Sequence, residues 1–153
     1  MPEISQPAPD FTLPSTGGDD VTLSALKGQP VVLFFYPRDD TPGCTKESIG
    51  FSEARADFDA AGIHVFGVSK DSMASHEKFA AKRDLTIPLL SDENNTVCED
   101  YGVWKEKNMY GKKYMGIERT TYLIAADGTI AQIWNKVKVP GHVDAVLEAA
   151  RAL

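Results

Sequence analysis

Two apolar runs dominate the order of hydrophobic and polar positions along the chain. The first, Val31-Val32-Leu33-Phe34-Phe35-Tyr36, shows no alternation and predicts a strand buried on both faces, as in a parallel sheet. The second, Ile63 to Ser69, predicts another strand. Between them lie a short polar loop, Pro37 to Gly43, and an amphipathic segment from Cys44 onward. That segment places Phe51, Ala54, Phe58 and Ala61 along one side of a helix ended by Gly62. Strand, helix and strand form one unit, which should cross over right-handed. Ahead of it, Ala8 to Pro14 reads as a short edge strand fenced by prolines, and Val21-Thr22-Leu23 pairs back to it across the turn cluster Ser15 to Asp20.

Beyond Ser69, Asp71 or Ser72 caps a second helix whose core side is Met73, Phe79 and Ala80. Thr86 to Leu90 is a short strand or extended piece. Ser91 to Asn94 starts a brief helix with Val97, Cys98 and Tyr101 inward, and Gly102 to Gly116 reads as a long loop holding Trp104 and several lysines. Thr120 to Ala125 and Thr129 to Trp134 flank Asp127-Gly128, a type I′ hairpin signal. A last helix, from about His142 to Ala152, carries Val143, Val146, Leu147 and Ala150 on one face. A β-α-β unit followed by a β-β-α unit is the arrangement of a thioredoxin-like α/β fold. The expected architecture is a central mixed sheet flanked by helices, with an N-terminal β-hairpin extension.

Composition narrows the function classes. The 153 residues suit a single domain, 1–153, and the 42% apolar and 25% charged shares are those of an ordinary globular chain. A net charge of −6 argues against a nucleic-acid or anionic-membrane partner. No window approaches the ~20 apolar residues of a membrane span, and Met1 to Gln6 lacks the pattern of a secretory signal. Two cysteines, Cys44 and Cys98, are too few for a disulfide framework, which points to the cytoplasm. The histidines, His64, His76 and His142, are scattered and make no metal-ligand spacing, so neither metal nor cofactor is expected.

The chemistry gathers at Cys44. A thiol at the first turn of a helix meets unpartnered N–H groups and the positive end of the helix dipole, which favours the thiolate. The polar loop before it argues against a buried structural cysteine. Thr41, three residues earlier, offers a hydroxyl, and Pro37 and Pro42 stiffen the loop. Arg119 begins a strand and is placed to favour an anionic sulfur, although in isolation it reads as a surface ion-pair partner. Such a pocket suits a small polar electrophile with two adjacent oxygens.

The pattern Pro37-x-x-x-Thr41-x-x-Cys44 resembles the active-site motif of peroxiredoxins. The fuller string Phe34-Phe35-Tyr36-Pro37 … Thr41-Pro42-Gly43-Cys44-Thr45-x-Glu47 resembles the Q-type, or bacterioferritin-comigratory-protein, subfamily. Ala8-Pro9-Asp10-Phe11, Gly67-Val68-Ser69, Leu90-Ser91-Asp92, Tyr101-Gly102-Val103 and Gly116-Ile117-x-Arg119-x-Thr121 extend the likeness over nearly the whole chain. The resemblance implies a thiol peroxidase for hydrogen peroxide and organic hydroperoxides. It makes Cys44 the peroxidatic nucleophile that becomes a sulfenic acid, gives Thr41 and Arg119 the peroxide oxygens, and has Pro37 shield the sulfenate. Glu47, Gly43 and Tyr36 are read as supporting residues.

The sequence departs from the subfamily at the second cysteine. Many relatives carry a resolving cysteine five residues after the first, where this chain has Ile49; others place it near Ala80 and Ala81, where this chain again has none. The remaining thiol, Cys98, falls on a core-facing helix position, and as a resolving residue it would need local unfolding to come within reach. The reductant is therefore open between thioredoxin and a glutathione or glutaredoxin type. A monomer is expected, with a homodimer as the alternative. Two rivals are a redox sensor or holdase on the same fold, and a disulfide reductase, which the lack of a C-x-x-C disfavours.

Overall fold

The computed structural model describes residues 1–153. The chain opens with a short antiparallel hairpin, β1 (Thr12–Leu13) and β2 (Val21–Thr22), and a 3-10 turn over Leu23–Leu26. The first apolar run becomes β3 (Val31–Phe35), buried along its whole length. Then come α1 (Pro42–Glu53), α2 (Arg55–Ala60), β4 (His64–Ser69), α3 (Met73–Arg83), β5 (Leu89–Ser91) and α4 (Val97–Asp100). Two hairpins follow, β6 (Trp104–Met109) with β7 (Lys112–Ile117) and β8 (Thr120–Ile124) with β9 (Ile130–Trp134), before the closing α5 (His142–Arg151). No helix is long and apolar enough to cross a membrane.

The central sheet has the strand order β5-β4-β3-β8-β9. β3 lies between β4, to which it is parallel, and β8, to which it is antiparallel, which explains its lack of alternation. This is the expected mixed sheet of a thioredoxin-like fold. Its pleat divides the core in two. Val32, Phe34, Tyr36 and Leu123 pack with Cys44, Phe51, Phe58, Phe79 and Val146 from α1, α2, α3 and α5. Val31, Leu33, Phe35 and Tyr122 pack on the other face with Phe11 and Leu13 near the N-terminal hairpin and with Val97 and Cys98 of α4. Aromatic stacking ties α1 to β3, with the Phe34 and Phe51 rings 4.5 Å apart.

Four expectations change. The helix after Cys44 is two helices, because at Ala54 the ladder tightens: its carbonyl accepts from Asp57 at 3.0 Å as well as from Phe58. Gly62, at φ +74°, ends the second one as expected. The brief helix is only Val97–Asp100, because the buried Asp92 carboxylate accepts from the Val97 and Cys98 amides and sets its start there. The long loop is instead β6 and β7. Tyr110 and Gly111 both take positive φ, which makes a two-residue turn of the I′ kind without an Asn or Asp to announce it. Conversely, at Asp127-Gly128 only the glycine takes positive φ; the Gly128 amide donates to the Ala125 carbonyl, and the Asp127 carboxylate accepts from Thr129. That is a turn followed by a left-handed glycine rather than a type I′ turn.

Candidate active site

The sulfur of Cys44 is set by the start of α1. Pro42 occupies the first helical position, where its missing N–H costs nothing. The Thr41 carbonyl takes the first helical bond, from Thr45 at 2.8 Å, so Cys44 stands in the first turn among amides that have no helical partner. The Thr41 side chain does not cap the helix; its hydroxyl donates to the Arg38 carbonyl at 2.9 Å and closes the loop on itself. Pro37 is half-buried at the loop entrance.

Arg119 arrives from the other side, immediately ahead of β8. Its Nη2 donates to Cys44 Sγ at 3.2 Å and its Nη1 to Glu47 Oε1 at 2.7 Å. One guanidinium therefore bridges two residues three apart on the same face of α1. Burial works against the Arg119 charge, but Glu47 and the sulfur more than offset it and hold the guanidinium above its ordinary value. Gly43 makes room for this approach: a Cβ there would stand 3.0 Å from Arg119 Nη2. Cys44 is fully buried, which the polar loop did not foretell. What separates it from an inert core thiol is the cation pointed at it.

Glu47 is fully buried and its Oε2 has no hydrogen-bond partner. Burial lifts its carboxyl from 4.5 to about 7, against the pull of Arg119. Tyr36 closes the floor; its hydroxyl donates to Asp39 Oδ1 at 2.6 Å, and burial together with that carboxylate pushes the phenol well above its usual value.

The structure does not bring Cys98 to Cys44. The two thiols are free and buried in separate clusters on opposite faces of the sheet, because α4 packs on the side away from α1. Burial, reinforced by the Asp92 carboxylate, pushes the Cys98 thiol far up, so it stays protonated.

Other residues escaped the sequence reading. Lys107 on β6 faces the site, with its stem packed over Gly116; burial and the charge of Arg119 hold it below the usual lysine range. His142, at the start of α5, lies 2.8 Å from the Thr121 hydroxyl, and burial plus Arg119 lower it to about 4. Asp39 and His76 meet at 2.8 Å behind the loop. No local pattern marks these residues, whose partners are distant in sequence.

Residues 4–133 match the AhpC/TSA family profile. The chain belongs to the AhpC/TSA family. Peroxiredoxin Bcp of Xanthomonas campestris is 49% identical over 97% of this chain and 94% of its own. A trapped intermediate/ligand complex of the bacterioferritin comigratory protein from that organism superposes with a TM-score of 0.87, at 47% identity over 93% of this chain and 90% of the other. A mutant of the PrxQ from Xylella fastidiosa superposes at 0.93, with 38% identity over 99% and 97%. The chain is thus a thiol-dependent peroxidase of the peroxiredoxin Q or bacterioferritin-comigratory kind.

Proposed function

We propose that Cys44 is the peroxidatic cysteine and that Arg119, Thr41 and Pro37 form its pocket. The carrying observation is the Arg119 Nη2–Cys44 Sγ contact of 3.2 Å at the first turn of α1. The sulfur attacks the terminal oxygen of a hydroperoxide; the S–O bond forms as the O–O bond breaks. The leaving oxygen departs as an alkoxide or hydroxide and takes up a proton, and Cys44 is left as the sulfenic acid. Arg119 and the first-turn amides face the negative charge that spreads over the two oxygens, so positioning and electrostatics carry the rate. Pro37 shields the sulfenate, and Glu47, Gly43 and Tyr36 hold the wall.

Hydrogen peroxide and alkyl hydroperoxides are the proposed substrates; the alkyl peroxide reduction described for the Xanthomonas campestris protein supports the second class. Cys98 lies in the opposite core cluster with a protonated thiol, so we favour a one-cysteine cycle over a Cys44–Cys98 disulfide. In that cycle an external thiol, of thioredoxin or of the glutathione and glutaredoxin type, displaces water from the sulfenic acid. A second thiol then releases Cys44 from the mixed disulfide. The enzyme works in the cytoplasm as a monomer, with residues 1–153 acting as one domain.

The test is an intact mass after one equivalent of hydrogen peroxide, with and without a sulfenic-acid trap. A trappable gain of one oxygen on Cys44 is expected. Loss of two hydrogens without crosslinking overturns the one-cysteine cycle, and no change at all overturns the assignment of Cys44.

A further inference from the structure

The loop that carries Pro37 and Thr41 is held from behind by α3, through groups the peroxide chemistry does not use. Asp39 turns inward. Its Oδ1 accepts from the Tyr36 hydroxyl at 2.6 Å, and its Oδ2 accepts from the Ser75 hydroxyl at 2.8 Å and lies 2.8 Å from His76 Nδ1. Its amide donates to Asp71 Oδ2 at 2.8 Å, just ahead of α3, and Asp71 is itself fixed by the Ser69 hydroxyl at 2.6 Å. Asp40 turns outward in the left-handed region, at φ +58°, and is gripped by Lys82 at 2.6 Å and Arg83 at 2.9 Å. One helix thus seizes two consecutive loop residues, the first near its N-terminus and the second near its C-terminus.

His76 is the centre of the inner grip. It is fully buried, and its Nε2 lies 2.9 Å from the Leu90 carbonyl, which only accepts. Nε2 therefore donates. Nδ1 faces the Asp39 carboxyl, which also accepts from two hydroxyls, so His76 ties the loop to the backbone of β5. A buried hydrogen-bonded network with its members satisfied favours one geometry.

We propose that Asp39 and His76 are positioning residues of the peroxidase, a buried pair between the β3–α1 loop and α3 that sets Pro37 and Thr41 beside Cys44. The inference rests on the assignment of Cys44 as the peroxidatic residue. The hydrogen bond at the Cys44 sulfur comes from Arg119, not from Asp39 or His76. Each acts through the loop backbone: Asp39 is two residues from Pro37 and two from Thr41, and the Arg38 carbonyl between them takes the Thr41 hydroxyl bond. A loop displaced by about 1 Å is enough to cost up to ~100-fold in rate.

Asparagine and glutamine separate the two contacts of His76. An asparagine amide overlays Nδ1 and keeps a donor toward Asp39; a glutamine amide overlays Nε2 and keeps only the donor toward Leu90. The experiment is the stopped-flow rate of Cys44 oxidation by hydrogen peroxide in the full chain, for wild type, Asp39→Ala, Ser75→Ala, His76→Asn and His76→Gln. A thermal melt of each shows that it is folded. The expected result is a loss of about 10- to 100-fold for Asp39→Ala and His76→Gln, with His76→Asn within about threefold of wild type and Ser75→Ala intermediate. Equal rates for the two His76 variants overturn the inference, as does a wild-type rate in Asp39→Ala. If Asp39→Ala does not fold, Ser75→Ala decides: a wild-type rate there overturns the proposal. A wild type whose Cys44 does not react overturns the peroxidase assignment and this inference together.

Discussion

Cys44 and Cys98 are both fully buried, both near the start of a helix and both packed on the central sheet, yet their surroundings are opposite. On one face Arg119 donates to the Cys44 sulfur at 3.2 Å. On the other, Asp92 accepts from the Cys98 amide at 2.8 Å and its charge opposes a thiolate. Burial disfavours a charged Cys98 sulfur and the carboxylate adds to that, whereas the charge beside Cys44 has the opposite sign. A helix start by itself does not make a reactive cysteine.

The largest expected effect breaks the comparison outright. Cys44→Ser abolishes peroxide consumption, whereas Cys98→Ser leaves it within about twofold in a steady-state assay with an external thiol; a dead Cys98→Ser would restore the two-cysteine cycle. Next, Arg119→Ala removes the cation that distinguishes the two sites. By analogy with the loss of one preorganised donor, peroxide attack slows by about 10²–10³-fold with the fold retained, read by single-turnover kinetics beside circular dichroism. Gly43→Ala pushes on the same guanidinium more gently, since its Cβ meets Nη2 at 3.0 Å. A loss of about tenfold is expected, with the melting temperature little changed.

The last effect falls on stability rather than rate and concerns the acid beside Arg119. The Glu47 carboxyl rises from 4.5 in the unfolded chain to about 7 in the fold. Below 4.5 both states are protonated and its contribution is fully present; as pH rises toward 7 the unfolded state ionises first and stability falls. Glu47→Gln should flatten the stability profile across that window and be the more stable protein at pH 8, by up to about 3 kcal/mol. Denaturant melts from pH 4 to 8 measure this, and an unchanged slope would show that the buried carboxyl is not the source.

The parts legible in the sequence were those whose signal is local. The two apolar runs became β3 and β4, the motif around Cys44 became a helix start, and the amphipathic tail became α5 over His142–Arg151. The 104–117 hairpin was not legible, because its residues do not alternate between apolar and polar and a Tyr-Gly pair makes its turn. The site followed the same division. Cys44 could be singled out from its flanks, but Arg119 joins it across 75 residues and was raised above a surface ion pair only by the family pattern. His76 reaches Asp39 across 37 residues and had been set aside as scattered.

By itself the sequence determined the strands of the central sheet, the thiol at a helix start and the family to which the chain belongs, because period, turn chemistry and motif spacing act over a few residues. Only the tertiary structure decided the charge each sulfur meets, the carboxyl near 7 at Glu47 and the grip of α3 on the loop. Those depend on which distant side chains share a low-dielectric space, and there a charge a few ångströms away outweighs any local propensity.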